Sequence, residues 1–176
     1  EVTSSDGVET TLTIDPAQRG DVDLEVTAES NLLQYVATEV ADDLLGVGIT
    51  GSIQSNLPIT VVGTVNDIRE AQVRDGSVLV VEDIDRDTLT IGAATGARLT
   101  ATGTVDSLSA AASKGATLAA SDLMATTAEV RFSDGASAVL CVSDEVIGSV
   151  TDGATLTVVC GGDASGVSTS NGGTVN

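Results

Sequence analysis

Histidine is absent from this 176-residue sequence, and lysine and aromatic residues are almost absent. Without histidine there is no Ser-His-Asp or Cys-His catalytic arrangement and no histidine-ligated metal site. Two cysteines are too few for a zinc site, and neither a phosphate-binding loop nor a dinucleotide-binding glycine motif occurs. We therefore identify no catalytic, cofactor-binding or metal-ligating residue, and we expect a protein that is not an enzyme and needs no cofactor.

Basic residues are too few to hold a polyanion. Seven basic residues stand against 26 acidic ones, which gives a net charge of −19, and Lys114 is the single lysine. Nucleic acid and anionic lipid surfaces are bound by clustered Lys and Arg, so nucleic acid is excluded as a partner. No apolar run approaches the roughly 18 residues that span a bilayer, so membrane insertion is not expected. The acidic run at 82–87 lacks the glycine-bearing loop of calcium motifs and is interpreted as a solvated corner.

The scarcity of aromatic residues limits both the core and the function. Tyr35 and Phe132 are the only aromatic residues, so the core must be filled by small and β-branched side chains. Paired carboxylates could still cleave a polysaccharide, but sugar-binding sites usually offer aromatic platforms. A polysaccharide-active β-helix enzyme is therefore the least favoured alternative.

A weak internal repeat is the strongest structural signal. Glycines followed by a small residue recur every 18 to 20 residues, several of them after aspartate, and alternating apolar strands such as Ala128–Phe132 lie between them. This length suits one coil of a β-solenoid, which buries its apolar face only against its neighbours. We predict an all-β parallel β-helix of about six coils of about 18–20 residues; an antiparallel β-sandwich is the alternative. The predicted coil-corner glycines are Gly76, Gly96, Gly115, Gly135, Gly153 and Gly172.

One domain over residues 1–176 accommodates the whole chain, with a less regular part at 1–70 and repetitive coils at 71–176. The first part has strand-like alternation at Thr10–Ile14 and Val22–Val26. Asn31–Val36 then changes period and predicts one helical turn, capped by Ser30 or Asn31, whose apolar side chains cover the β core. From Gly161 onward the sequence is rich in Gly, Ser and Thr, which fits either an end coil that can pair with another chain or a disordered tail.

The two cysteines, Cys141 and Cys160, lie one coil length apart and are the disulfide candidates. On adjacent coils they could stack and be bridged, which an oxidising compartment would permit. Counted from the preceding corner glycine, however, one cysteine stands at an even position of its coil and the other at an odd position. Because side chains alternate along a strand, the two would point to opposite faces unless a bulge intervenes. Free buried thiols therefore stay open as the alternative.

Several short segments follow one another along the chain at Ala28–Val36, Thr38–Val40, Leu57–Val61, Asn66–Ile68, Ala120–Leu123, Val142–Asp144 and Gly153–Ala154. Their order resembles the putative auto-transporter adhesin, head GIN domain family of exported bacterial proteins. The resemblance runs along nearly the whole chain and implies a right-handed parallel β-helix, export to the envelope or beyond, and no enzymatic residue to carry over. The strong acidity, the near lack of lysine and the two cysteines depart from the family pattern.

These observations predict a secreted protein, extracellular or at the cell surface, with a structural, adhesin-like role in adhesion or assembly. The sequence begins at Glu1 without a leader, which fits a processed exported protein or a trimmed chain equally well. The expected partner is either a second copy of the chain, as a homo-oligomer or filament, or a surface glycan or protein ligand. A self-polymerising extracellular filament subunit is the alternative function.

Overall fold

The computed structural model describes residues 2–4, 8–15, 23–28, 30–41, 44–49, 59–65 and 67–176. Within these ranges it is a β-solenoid of about five turns, in which parallel strands stack along one axis. A short 3-10 helix spans Leu33–Tyr35. The strands are β1 (Val2–Ser4), β2 (Glu9–Ile14), β3 (Asp23–Thr27), β4 (Val36–Ala41), β5 (Leu44–Ile49), β6 (Thr60–Val65), β7 (Glu70–Val73), β8 (Val78–Ala93), β9 (Arg98–Ala112), β10 (Thr117–Phe132), β11 (Ser137–Val150), β12 (Thr155–Val159), β13 (Asp163–Thr169) and β14 (Thr174–Val175).

Parallel pairing decides between the two predicted folds. Strand β8 pairs with β9, β9 with β10 and β10 with β11, and all three ladders are parallel. An antiparallel sandwich would join neighbouring strands by hairpins instead, so the solenoid prediction is confirmed and the sandwich is wrong. The solenoid has about five turns where the glycines indicated six, because the coil after Gly172 contains only the two-residue strand β14.

All six predicted glycines lie at one corner of the solenoid. At a typical corner Asp134 and Gly135 have φ angles of 52° and 70°, and the N–H of Ala136 donates to the carbonyl of Ser133 at 3.1 Å. Two successive residues with positive φ inside such a bond define a type I′ turn, which explains the Asp-Gly and Asn-Gly pairs. The other five turns have the same two positive φ angles, at Asp75–Gly76, Thr95–Gly96, Lys114–Gly115, Asp152–Gly153 and Asn171–Gly172.

The stacking hydrogen bonds continue through these corners. The N–H of Gly115 donates to the carbonyl of Asp134 at 2.9 Å, and the N–H of Gly135 donates to the carbonyl of Asp152 at 3.0 Å. Each corner is therefore hydrogen-bonded to the corner of the next coil. Because stacked backbone groups need partners, this pairing keeps the corners aligned although the spacing of the glycines varies from 18 to 20 residues.

The core consists of columns of inward side chains, one from each coil. In one column Leu79, Leu99, Leu118, Ala138 and Leu156 stand in register, and all five are buried. In another, Phe132 lies between Ala112 and Val150. Small residues beside large ones let the layers fill the interior without a second aromatic residue.

The N-terminal part departs from the parallel pattern, as its irregular sequence suggested. Strand β3 pairs antiparallel with β6, and β4 pairs antiparallel with β5. The predicted turn is present as the 3-10 helix, but its N-cap is Leu32 without a side-chain hydrogen bond, so the prediction of Ser30 or Asn31 as cap is wrong. Leu32 is buried while Leu33 and Tyr35 are exposed, so only part of the segment covers the core. Val22 of the second predicted strand lies outside the described residues.

The last sixteen residues are part of the solenoid rather than a disordered tail. Strand β13 pairs in parallel with β11, and β14 pairs in parallel with β12. Cys141 and Cys160 form a disulfide with a Cα–Cα distance of 5.1 Å, which confirms the predicted pair. The expected opposite orientation of the two cysteines does not prevent the bond. Cys141 is in register with Val159, whereas Cys160 has already left the strand with a φ of 74°, so strand alternation does not fix the direction of its side chain.

Candidate functional site

A groove on the side wall is the candidate site. It crosses four stacked strands, β8 to β11, and has a volume of about 410 Å³. The strands run in parallel through it, so that Asp85, Thr104 and Met124 stand side by side on successive coils. We call this feature the wall groove. It is lined by Asp85, Arg86, Asp87, Thr104, Val105, Asp106, Met124, Thr126 and Ser143.

Local irregularities in the strands place the groove at this level of each coil. The ladder between β8 and β9 shifts register between Val81 and Ile84, and Asp83 has a φ of 61°. On the next coil Gly103 has a φ of 125°, and a Cβ there would lie 2.1 Å from the carbonyl oxygen of Ile84. Such bulges bend a strand and re-aim its side chains. On both coils these irregularities come directly before the residues that line the groove.

Carboxylates and hydroxyls dominate the groove surface. The hydroxyl of Thr104 donates to Oδ1 of Asp85 at 3.3 Å, and the hydroxyl of Ser143 donates to the carbonyl of Ala125 at 3.3 Å. Asp87 and Asp106 are exposed on neighbouring coils. None of the lining residues is aromatic, and the side chain of Met124 is 56% exposed. The groove thus offers negative charge, hydroxyl groups and one flexible apolar contact.

Arg86 is the single basic residue among the described residues that line the groove, and a neighbouring carboxylate already holds it. Arg86 is in register with Val105 on the next coil. The residues that follow Val105 in this column on later coils are buried aliphatic side chains. Nη1 of Arg86 lies 2.8 Å from Oδ1 of Asp67, and Nε of Arg86 is buried without a hydrogen-bond partner among the described residues. The ion pair with Asp67 offsets the charge of Arg86, so the carboxylates of Asp85, Asp87 and Asp106 leave the groove negative.

The described residues contain neither a metal-binding cluster nor a membrane-spanning helix. No group of three or more His, Cys, Asp or Glu side chains is arranged there to hold a metal ion. In the same part of the chain, no helix is both long and apolar enough to cross a bilayer.

Comparison with known proteins gives the family. The sequence matches the family described as "Putative auto-transporter adhesin, head GIN domain" over residues 1–162. The chain belongs to this head GIN domain family. No curated protein matches it in sequence.

Solved structures of similar shape include proteins from Bacteroides and Parabacteroides. A putative adhesin from Bacteroides fragilis is 12% identical with a TM-score of 0.72, and the match covers 99% of this chain and 88% of that one. A putative adhesin from Parabacteroides merdae is 14% identical with a TM-score of 0.58, over 99% and 90% of the two chains. A putative lipid binding protein from Parabacteroides distasonis is 14% identical with a TM-score of 0.56, also over 99% and 90%. Similarity at this identity establishes a shared fold.

The residues singled out in the sequence and the residues of the groove are different sets. In this head GIN domain protein the six glycines form one corner and the cysteines bridge the last two coils, which are structural roles. The groove residues were not identified as a site, although a signal exists. Counted from each corner glycine, Asp85, Thr104, Met124 and Ser143 all stand eight or nine residues along their coil, so stacking the coils in sequence would have brought them together.

Two carboxylates near the C-terminal end have altered acidity. The pKa of Asp152 is lowered from its ordinary 3.8, first by the hydroxyl of Thr151 and then by the side-chain amide of Asn171, which donate to it at 2.8 and 2.9 Å. The pKa of Asp163 is lowered by the backbone N–H of Ser165, which donates at 2.8 Å, and by the Ser165 hydroxyl. A lowered folded-state pKa stabilises the fold above the unfolded pKa, and this contribution is lost as the pH falls through the folded value.

We expect Thr151→Val and Asn171→Ala each to raise the pKa of Asp152, because each removes a donor that favours the carboxylate. Carboxyl carbon shifts measured by NMR from about pH 2 to about pH 6 give the midpoint. Thr174→Val, which removes the hydroxyl bonded to Thr155 instead, leaves the Asp152 titration unchanged. An Asp152 midpoint that is the same in the wild type and in both variants would contradict the assignment.

Proposed function

We propose that this chain is a non-enzymatic, adhesin-like module that works at the cell surface or outside the cell. Membership of a family described as an auto-transporter adhesin supports this role, and so do two solved neighbours described as putative adhesins. The observation that carries the proposal is the wall groove, an open charged surface on a frame of hydrogen-bonded coils. A binding surface built on strands is held more precisely than one built on loops.

The chemistry of the groove selects the ligand class. Its carboxylates at Asp85, Asp87 and Asp106 form strong hydrogen bonds with cationic donors, and they also accept from sugar hydroxyls. The net charge of −19 attracts basic partners over a distance and repels anionic ones. The ligand is therefore a surface glycan or protein that offers hydroxyl or basic groups. One neighbour is described as lipid binding, but this charge opposes binding to an anionic lipid surface.

The test is a binding screen of the labelled chain on glycan and protein arrays, followed by affinity measurements with the best ligand. Replacing Asp85, Asp87 and Asp106 together by asparagine removes the charged acceptors of the groove while keeping its shape. We expect this variant to bind at least about tenfold more weakly, since truncating charge-assisted hydrogen bonds costs about 1.5 kcal/mol or more. Rising salt weakens binding by the wild type as well.

A second triple variant separates the groove from overall charge. Asp75, Asp134 and Asp152 lie at the corners with positive φ, a conformation that asparagine tolerates, so replacing all three by asparagine removes the same charge elsewhere. We expect this control to bind within about twofold of the wild type, as surface changes away from a site have small effects. Equal losses in both variants, or a chain that binds nothing on either array, would refute the proposal. Release of product from a bound glycan would show an enzyme instead.

A further inference from the structure

The first stretch of each coil presents a regular outer surface. There β6, β2, β8, β9, β10 and β11 lie side by side as parallel strands, and β3 flanks β6. No register shift interrupts these ladders over their first three residue pairs, so two rows of outward side chains run straight across the coils. We call the two rows together the flat face. One row is Val62, Thr11, Val80, Thr100, Ala119 and Val139, and the other is Thr60, Glu9, Val78, Arg98, Thr117 and Ser137.

Charge is nearly absent from the flat face of this very acidic protein. Glu9 and Arg98 are its two charged residues and have opposite signs, whereas the whole chain carries a net charge of −19. Further along the same strands, the outward side chains include the carboxylates of the wall groove, and the third stretch of β10 exposes Glu129 and Arg131. Two copies of the chain therefore repel each other less through their flat faces than through their grooves.

The flat face also exposes small and β-branched apolar side chains. Val62 is 51% exposed, and Val78, Val80, Ala119 and Val139 are partly exposed. Removing this area from water is favourable. Because valine is stiff at χ1, ordering it at a contact costs little conformational entropy. Two such faces can pack about 10 Å apart, as the sheets of a β-sandwich do.

We propose that two copies of this chain associate through their flat faces, with the two solenoid axes antiparallel. The two-fold axis runs parallel to the strands and passes between the two β8 strands, so it reverses the order of the coils but keeps the position along each strand. Val80 then faces Val80 of the second copy, and Thr11 faces Thr100 of the second copy. The wall groove lies beyond the bulge at Asp83 and stays outside the contact, so the association is independent of the adhesive function proposed above.

The two charged residues of the flat face become partners in this arrangement. Glu9 lies one coil before Val78, and Arg98 lies one coil after it, so the two are about 9.6 Å apart along the solenoid axis. Neither forms an ion pair within the described part of the chain. The two-fold axis places Glu9 opposite Arg98 of the second copy, and it does so twice in each dimer. Complementary charges of this kind fix the register of a contact.

The area of the contact predicts a weak dimer. With the axis at β8, the overlap extends three strands to either side, from β3 to β11. At about 4.8 Å per strand and about 3.3 Å per residue over five residues, each copy covers about 550 Å². A total of about 1,100 Å² belongs to the small specific interfaces. Glu82, at the margin of the contact, faces its own counterpart, and this pair of like charges weakens the dimer further.

Sedimentation equilibrium of the 176-residue chain at several concentrations, in low and high salt, tests the association. We expect a monomer–dimer equilibrium that shifts toward the dimer at high salt, because screening reduces the repulsion between two chains of net charge −19. The contact closes after two copies. A monomer at every concentration in both salts would overturn the proposal, and so would assemblies that grow beyond the dimer.

A charge at the centre of the flat face locates the contact. Val80→Asp sets two carboxylates against each other at the two-fold axis, so we expect this variant to stay monomeric at every concentration. Thr90→Asp adds the same charge to the third stretch of β8, away from the flat face, and should dimerise within about threefold of the wild type. Circular dichroism confirms that both variants fold. Equal effects of the two changes on the dimer would refute the proposal.

Exchange of the two charges tests the antiparallel arrangement. Glu9→Arg and Arg98→Glu each turn two attractive pairs into repulsive ones, so we expect each to raise the dissociation constant about tenfold or more. Overall charge alone would move these two variants in opposite directions. The variant with both changes should return to within about threefold of the wild type, and Glu82→Gln should strengthen the dimer. A double variant as weak as the single ones, or a Glu82→Gln dimer no tighter than the wild type, would contradict the arrangement.

Discussion

Replacing Phe132 by alanine is expected to lower the free energy of unfolding by about 4 kcal/mol, the middle of the range for a buried phenylalanine. The ring is 1% exposed and lies in register with Ala112 on one side and Val150 on the other. The neighbours in this column are too small or too rigid at χ1 to fill the vacated space. The stacked backbone hydrogen bonds also prevent the coils from moving together along the solenoid axis, so the cavity stays open.

Urea unfolding followed by circular dichroism measures this loss. Met124→Ala is the control, since that side chain is 56% exposed and its removal should change the free energy of unfolding by no more than about 0.5 kcal/mol. If Phe132→Ala cost as little as the control, the interior would be able to collapse around the missing ring. The columns would then not be the close-packed core described here.

Removal of the disulfide is expected to lower the free energy of unfolding by about 3 kcal/mol, because the bond closes a loop between the two cysteines and so reduces the conformational entropy of the unfolded chain. The two cysteines are 19 residues apart. Replacing both Cys141 and Cys160 by alanine should lower the urea midpoint by the corresponding amount. The loss should also appear locally, as faster hydrogen exchange in β12, β13 and β14, because these strands have fewer neighbours than the central ones.

Reduction of the wild type with dithiothreitol provides the matched comparison. The reduced protein should unfold at the same urea concentration as the double alanine variant, and the variant itself should not respond to the reductant. A wild-type midpoint that is the same with and without reductant would contradict a stabilising role for the bond. Loss of structure throughout β8 to β10 on reduction would show that the last coil supports the whole solenoid rather than its own end.

The repeat was predictable because its chemistry is local. A type I′ turn requires positive φ at two successive residues, and pairs such as Asp134–Gly135 meet that requirement in the sequence itself. The residues between the turns alternate in polarity over one coil length, so the length of the repeat and the side chains that point inward were also predictable. The cysteine pair was also predictable from its spacing, and the doubtful orientation was resolved by the positive φ of Cys160, which no sequence pattern indicates.

The N-terminal pairing and the groove depend on long-range geometry instead. Antiparallel pairing of β3 with β6 and of β4 with β5 joins segments without a repeat, so neither register nor direction could be derived from local signals. The groove depends on where each strand bends, and no turn motif in the sequence marks the positive φ angles of Asp83 and Gly103. The acidic run at 82–87 was interpreted as solvated, but no local signal predicted that it lies beside Thr104 and Met124 on the neighbouring coils.

The type I′ corners make each coil an interchangeable unit. Every coil from Gly76 to Gly172 begins with the same pair of positive φ angles, and neighbouring coils are joined mainly by backbone groups that any sequence provides. Duplicating residues 96–114 would insert one layer about 4.8 Å thick, and this layer would lie within the wall groove because Thr104, Val105 and Asp106 line it. The length of the wall groove can thus grow in fixed steps during evolution or by design, because each added coil brings one more row of side chains to it.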